Sequence, residues 1–110
     1  MVRIAFASES GNGLDSKISV RLGRARYFII VDVEDGEAKA VRVVENPGAT
    51  QPGGAGIRAV QKLVDEKVEV AVAGAFGPNA LSALEELGIK HVEISGISVG
   101  EAVKRVLEAL

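Results

Sequence analysis

The chain has 110 residues, of which 47% are hydrophobic and 25% charged, and its formal net charge is −2 at pH 7. This length predicts one domain over residues 1–110, and the acidic balance excludes a general attraction to nucleic acid or to anionic membranes. Because there is no cysteine, disulfides and thiolate metal sites are excluded as well. No apolar run approaches the roughly 20 residues of a membrane span, so we expect a cytoplasmic protein. The scarcity of Asn, Gln and Met is typical of a thermophile.

Short apolar runs between polar or glycine-containing segments predict five strands. The predicted strands cover residues 2–7, 27–34, 38–45, 68–73 and 91–94. Asp35-Gly36 favours a type I′ turn, whose two central residues need positive φ, so the second and third strands are expected to be antiparallel neighbours. The third strand alternates in polarity like a half-exposed edge strand, whereas the fourth is nearly continuous in apolar character, as in a buried parallel strand.

Three helices follow the third, fourth and fifth strands. The first covers about residues 54–66, the second begins at Pro78 and ends before Gly88, and the third opens with a capping box of Ser98 and Glu101. Their inward apolar positions are predicted to be Ile57, Val60, Leu63 and Val64, then Leu81, Leu84 and Leu87, then Val99, Val103, Val106 and Leu110. This element order predicts a three-layer α/β/α sandwich with a mixed sheet in which only the second strand is antiparallel.

Glycines and arginines gather in the gaps between these elements. In an open α/β sheet the loops after parallel strands meet at one edge, where ligands bind, and the loop before the second strand reaches the same edge. Two helix N-termini open there with unpaired N–H groups, and glycines let an anion approach the backbone. We therefore predict an anion site at this edge. Its candidate residues are Arg21, Gly23, Arg24, Asn46, Gly53, Gly54, Gly56, Gly77 and Asn79.

The same residues are also compatible with plain connecting loops, in which the glycines serve tight turns and the arginines are solvated. The chain lacks the residues that known catalytic patterns require. Residues 48–53 have Walker-like spacing but are followed by Gly54-Ala55 instead of Lys-Ser/Thr. His91 is the one histidine, and because it starts a strand we expect it at the opposite edge in a structural role. The charged residues of the first and third helices are interpreted as solvated faces.

Five segments occur in a characteristic order along essentially the whole chain. They are Gly23-Arg-Ala-Arg-Tyr-Phe28, Glu45-Asn-Pro47, Gly53-Gly-Ala-Gly-Ile57, Gly74-Ala-Phe-Gly-Pro-Asn-Ala80 and Leu87-Gly-Ile89. In this order they resemble the dinitrogenase iron–molybdenum cofactor biosynthesis family, the nitrogenase accessory factor-like domains. The resemblance implies a ribonuclease H-like fold with strand order 3-2-1-4-5. It also implies a binder or carrier of metal–sulfur cluster cofactors instead of a catalyst.

One position departs from the family pattern. The family commonly has His-Phe-Gly-Arg-Ala before the second strand, with that histidine as a candidate cluster ligand, whereas this chain has Arg-Leu-Gly-Arg-Ala at residues 21–25. Arg21 can pair with an anionic cofactor but cannot ligate iron. We therefore expect as ligand an anionic small molecule or an iron–sulfur or iron–molybdenum type cluster, with no protein-ligated metal. We also expect a monomer with a protein partner in cofactor delivery, and no nucleic-acid or membrane partner.

Two other functions stay open. The chain could be an enzyme that acts on a phosphorylated or nucleotide substrate with Glu9 as the base. It could also be an interaction module that uses its third strand as an exposed edge.

Overall fold

The computed structural model describes all 110 residues as a five-stranded mixed sheet with three helices. The strands are β1 Val2–Ser8, β2 Tyr27–Glu34, β3 Glu37–Glu45, β4 Val70–Ala73 and β5 Lys90–Glu93, and the helices are α1 Ala55–Asp65, α2 Pro78–Glu86 and α3 Val99–Ala109. The sheet order is β3-β2-β1-β4-β5. Strand β2 is antiparallel to both neighbours, while β1, β4 and β5 are mutually parallel. The predicted fold class and strand order are confirmed.

Two apolar clusters, one on each face of the sheet, make it the middle of three layers. Because side chains alternate along a strand, β1 contributes to both. Ala5 and Ala7 join the cluster under α1 and α2, and Ile4 and Phe6 join the cluster under α3. The three-layer sandwich thus has a core on each side of one sheet, built mainly from aliphatic residues.

The β2–β3 hairpin is the exposed margin of the molecule. Its turn residues Asp35 and Gly36 have φ of 54° and 78°, as a type I′ turn requires, so that prediction is confirmed. No residue of β3 belongs to either buried cluster, and Val44 alone packs against one of them. The third strand is therefore more exposed than the half-exposed strand expected from its alternation, because the helices cover the central strands and leave this edge open.

Four predicted core positions are instead substantially exposed. They are Ile57, Val64, Leu87 and Leu110. In α1 the buried residues are Ala55, Ala59, Val60 and Leu63. The face of α1 that packs on the sheet is narrow and consists partly of alanines. Ile57 and Val64 lie beside this face and stay in solvent. Leu87 and Leu110 lie just past the ends of α2 and α3 and stay about half exposed.

An ion pair joins β1 to β2 at the edge of the sheet that carries the N-terminal end of β1. Arg3 Nε donates to Asp32 Oδ1 at 2.7 Å and Nη2 donates to Oδ2 at 3.1 Å. The third guanidinium nitrogen, Nη1, donates to the carbonyl oxygen of Glu66 at 3.0 Å and so ties the C-terminal end of α1 to the sheet. The hydrogen bonds from Arg3 lower the pKa of the Asp32 carboxyl below its usual range.

We expect Asp32→Asn to destabilise the protein at neutral pH and to flatten its acid unfolding profile. Because the folded-state pKa of Asp32 is lowered, the contribution of the pair is complete above the unfolded value of about 3.9 and is lost as the pH falls through the folded value. Urea unfolding at a series of pH values measures this. Glu108→Gln, which removes an exposed carboxylate without an ion pair, is the control. Equal acid sensitivity in the wild type and Asp32→Asn would contradict the assignment.

Candidate functional site

Loops from separate parts of the chain meet at the carboxyl edge of the parallel strands and enclose a cleft of about 350 Å³, the loop-edge cleft. Residues 21–24 form one wall, and the N-terminal residues of α1 and α2 form the other, together with Ala75 to Gly77. The Leu22 N–H donates to the carbonyl oxygen of Ala75 at 3.2 Å, and Arg21 pairs with Ala75 as an isolated parallel bridge. The structure thus brings the predicted loops together around one space.

The two helices that open toward this cleft lack capping side chains. Their N-cap residues are Gly54 and Gly77, and neither makes a side-chain cap. The first intrahelical bonds are donated by Arg58 and Leu81. The N–H groups before these residues have no acceptor in the chain, namely those of Ala55, Gly56, Ile57, Asn79 and Ala80. Such free donors, with the positive ends of two helix dipoles, attract an anion.

Two arginines of the opposite wall differ in how firmly they are held. Arg24 Nη1 donates to the carbonyl oxygen of Gln51 at 2.5 Å, which keeps this side chain beside the approach to α1. The Arg21 side chain is exposed and makes no hydrogen bond or ion pair within the chain. Arg21 is therefore free to bind an anion, whereas Arg24 would have to share its guanidinium with Gln51.

Asn46 lies behind the cleft wall, with 4% of its surface exposed. Its Nδ2 group donates to three carbonyl oxygens of the loop before β2, those of Leu22 at 3.2 Å, Gly23 at 3.2 Å and Ala25 at 2.8 Å. Its Oδ1 accepts from the Gly48 N–H at 2.9 Å. Because both amide hydrogens are already used, Asn46 acts on the site by holding its wall. The sequence Asn-Pro-Gly is typical of an Asx turn, a signal that predicts the Gly48 bond.

Three glycines allow the walls to lie in contact. A Cβ at Gly23 would lie 3.2 Å from Gly56 Cα, and a Cβ at Gly56 would lie 3.1 Å from Ala80 Cβ. A Cβ at Gly48 would lie 2.4 Å from the carbonyl oxygen of Ala55. The loop before β2, α1 and α2 therefore touch where side chains are missing, and this close approach fixes the two helix N-termini side by side.

Six of the nine predicted ligand-binding residues line the loop-edge cleft. They are Arg21, Gly23, Arg24, Gly56, Gly77 and Asn79. Gly53 and Gly54 flank it in open space at the start of α1, and Asn46 lies behind it. Sequence reasoning missed Phe76 and Pro78, which also line the cleft, and Gly48, which packs beneath it.

His91 lies near the start of β5, as predicted, but its ring reaches a residue of the loop edge. Its backbone pairs with Ala71 within the sheet, but its ring packs edge to face on Phe76 with the ring centroids 5.3 Å apart. The histidine therefore contacts a residue of the cleft, although it does not line the cleft itself. The Phe76 side chain therefore links His91 to the loop-edge cleft, although the position of His91 in its strand predicted that the two would lie apart.

Glu9 lies in a neighbouring cleft of about 790 Å³ that also contains Arg21 and Arg24. Its Oε2 accepts a hydrogen bond from Ser19 Oγ at 3.0 Å. Glu9 is absent from the lining of the loop-edge cleft, which contains no carboxylate at all. The cleft is thus positive in its side chains as well as in its backbone.

The loop-edge cleft does not fit a metal held by protein ligands. None of its side chains is Cys, His, Met, Asp or Glu. Nowhere in the chain do three His, Asp or Glu side chains come together in a way that could hold a metal ion. The donor set fits an anion bound through guanidinium groups and backbone N–H groups.

Together, this topology and this cleft define a class of small α/β/α sandwich proteins with a cleft at the loop edge of the sheet. Within that class, the chain belongs to the dinitrogenase iron–molybdenum cofactor family, whose sequence model matches residues 1–109. None of the three helices combines the length and the apolar character that crossing a bilayer requires.

Two solved structures and a curated protein are similar to this chain over most of its length. The orange protein from Desulfovibrio gigas, solved in its apo form, superimposes with a TM-score of 0.89 at 39% identity, over 99% of this chain and 89% of that protein. A Thermotoga protein provisionally named NifB superimposes with a TM-score of 0.77 at 40% identity, over 98% of this chain and 89% of that protein. An uncharacterised protein of Methanocaldococcus jannaschii is 29% identical over 94 residues, 86% of this chain and 80% of that protein.

We expect Gly48→Ala to destabilise the protein by about 1–3 kcal/mol, because the new Cβ would overlap the carbonyl oxygens of Ala55 and Gly23. Gly53→Ala is the matched control, since a Cβ there meets nothing within 4 Å. Urea unfolding followed by circular dichroism measures both. Equal stability of the two variants would contradict the close packing of this turn against α1.

We expect Asn46→Ala to destabilise the protein by about 1–3 kcal/mol, because it leaves buried carbonyl oxygens without donors. Amide hydrogen exchange should also accelerate in residues 22–26 and 47–50, the two segments that this side chain joins. Asn12→Ala, at an exposed asparagine without a side-chain cap, is the control. Unchanged exchange in both segments would show that Asn46 does not hold the wall.

Proposed function

We propose that this protein is a single-domain, non-enzymatic carrier that holds an anionic small molecule or metal–sulfur cluster as cargo in the loop-edge cleft. The observation that carries the proposal is the charge of that cleft. It contains Arg21 and Arg24, it faces two uncapped helix N-termini, and it has no acidic side chain. Glu9 lies in the adjacent cleft with Arg21 and Arg24 but forms no ion pair with either arginine, so the loop-edge cleft itself stays positive and its complementary ligand is an anion.

The size of the cleft supports a small cargo. Its volume of about 350 Å³ is at the lower end of the range for small-molecule sites, about 300–1,000 Å³. Gly53, Gly54 and Gly77 have open space where a side chain would point, so a ligand can reach the backbone at both helix starts. The arrangement suits recognition of an anion by close backbone contact and charge.

Family membership supports a metal–sulfur cluster as that anion, since the family is defined by the dinitrogenase iron–molybdenum cofactor. Because the cleft has no ligating side chain, we infer that the cargo arrives with its metals already coordinated by their own sulfides. The arginines and N–H groups would then bind the sulfides from outside, as hydrogen bonds to sulfur do around protein-bound clusters. Such a cargo can be passed intact to an acceptor protein, because no bond from protein to metal has to break.

We expect Arg21→Ala to lower retention of the cargo about tenfold or more, because it removes a charge-assisted contact. The protein is incubated anaerobically with ferrous iron and sulfide, with or without molybdate, and desalted, and the retained chromophore is read by visible absorption. Arg105→Ala, an exposed arginine of α3 outside the cleft, is the charge-matched control. A wild-type protein that retains no chromophore would contradict the cluster cargo, and equal loss in both variants would contradict the site.

The variant Arg21→His sharpens the same experiment. It places an imidazole where the family commonly has a histidine, so the protein gains a side chain that can ligate a metal. We expect this variant to retain the chromophore with a shifted absorption spectrum, whereas Arg21→Ala loses it. Identical spectra for the histidine variant and the wild type would argue that position 21 does not contact the cluster.

A further inference from the structure

A second cleft, of about 690 Å³, lies next to the first along the outer face of α1, and we call it the α1 cleft. Its cationic side chains are Arg24, Arg26, Arg58 and Lys62, and its carboxylates are Glu45 and Asp65. These six side chains give the α1 cleft a formal charge of +2, in a chain whose formal net charge is −2. Positive charge is thus concentrated here against the overall balance of the molecule.

The arginines of the α1 cleft are not neutralised within the chain. Arg26 and Arg58 form no ion pair. The Arg26 guanidinium lies over the Tyr27 ring, 5.5 Å from its centroid, and the Arg58 guanidinium has one long contact, from Nη1 to Gln61 Oε1 at 3.4 Å. Lys62 differs, because its Nζ pairs with Glu66 at 3.0 Å. Arg58 and Lys62 are four residues apart in α1 and therefore lie on the same face of the helix. The N–H groups of Arg26 and Arg58 therefore have no carboxylate partner in the chain and can bind an anionic ligand.

The floor of the cleft is fixed before any ligand binds. It contains Pro47, Ala49 and Thr50 of the short 3₁₀ turn Pro47–Thr50. Asn46 anchors this turn by accepting from the Gly48 N–H, and the packing of Gly48 against the carbonyl oxygen of Ala55 holds it to the start of α1. A rigid floor lowers the entropic cost of binding to the flexible arginines above it.

The two carboxylates narrow the class of ligand. Glu45 and Asp65 also form no ion pair in the chain, and they would repel a bare polyanion. A diphosphate that carries Mg²⁺ satisfies both sets of charges, because Mg²⁺ is commonly bound by one or two carboxylates together with phosphate oxygens and water. Arginine, for its part, binds phosphate through paired N–H donors.

We infer that the α1 cleft is a second binding site, for the magnesium-bound diphosphate group of a small molecule. Arg26 and Arg58 bind the phosphate oxygens, and Glu45 and Asp65 face the magnesium ion or its water ligands. The site is distinct from the loop-edge cleft, although Arg24 borders both. The charged face of α1, interpreted from sequence as solvated, would in part be a ligand-binding surface.

The test uses pyrophosphate as the probe, with and without MgCl₂, in isothermal titration calorimetry and amide chemical-shift mapping. We expect binding that needs Mg²⁺, with shifts in residues 47–50 and in the first two turns of α1. Arg58→Ala should weaken this binding about tenfold, and Ala is the residue best tolerated on an exposed helix surface. Arg26→Gln, in a different element, should weaken it similarly and guards against a folding effect of the first variant.

Two controls separate this site from the proposed cargo site. Arg105→Ala should leave the Mg²⁺-dependent binding of pyrophosphate unchanged, and so should Arg21→Ala, because Arg21 lines the loop-edge cleft and the cleft that contains Glu9 but not the α1 cleft. No binding by the wild type, equal binding without Mg²⁺, or loss of binding in Arg21→Ala but not in Arg58→Ala would each overturn the inference. Chemical shifts confined to residues 74–80 would overturn it as well. None of these results bears on retention of a cluster, which is measured separately.

Discussion

The buried amide of Asn46 is the interaction on which the loop edge of this protein depends. Three carbonyl oxygens of the loop before β2 accept from its Nδ2, and its Oδ1 accepts from the turn that follows β3. The backbone N–H of Asn46 adds a bond to the Arg26 carbonyl oxygen at 3.0 Å. A loop buried in this way would otherwise carry unpaired carbonyl groups. One side chain therefore lets an irregular segment pack tightly enough to form a wall.

That wall positions two surfaces at once. On one side it presents Arg21 and Arg24 to the N-termini of α1 and α2, and on the other it supports the turn beneath the outer face of α1. The contacts among Gly23, Gly56 and Ala80 bring the helix starts together, because no side chain separates them. The positive ends of two helix dipoles then act on the same space, and their effects on an anion there add.

The ion pairs of this protein lie away from the loop-edge cleft. The firm ion pair of the fold, Arg3 with Asp32, lies at the opposite edge of the sheet, and Glu66 pairs with Arg42 and Lys62. Both carboxyl pKa values are lowered mainly by these hydrogen bonds. The loop-edge cleft, by contrast, has cations without carboxylates. An acidic chain thus keeps a locally positive cleft by using its carboxylates elsewhere.

Features that depend on local geometry and on alternating polarity could be predicted from the amino-acid sequence. Asp35-Gly36 set the hairpin, Ser98 and Glu101 set the start of α3, and the order of apolar runs set the alternation of strands and helices. The strand order of the sheet was implied by the family resemblance. Tertiary packing determines which side of α1 is covered, which leaves Ile57 and Val64 in solvent, and how far the Phe76 side chain reaches toward His91. It also determines that Asn46 holds a wall. The physical reason is that local patterns report the conformation of one segment, whereas contacts between segments depend on side-chain length and close backbone approach, which sequence spacing does not encode.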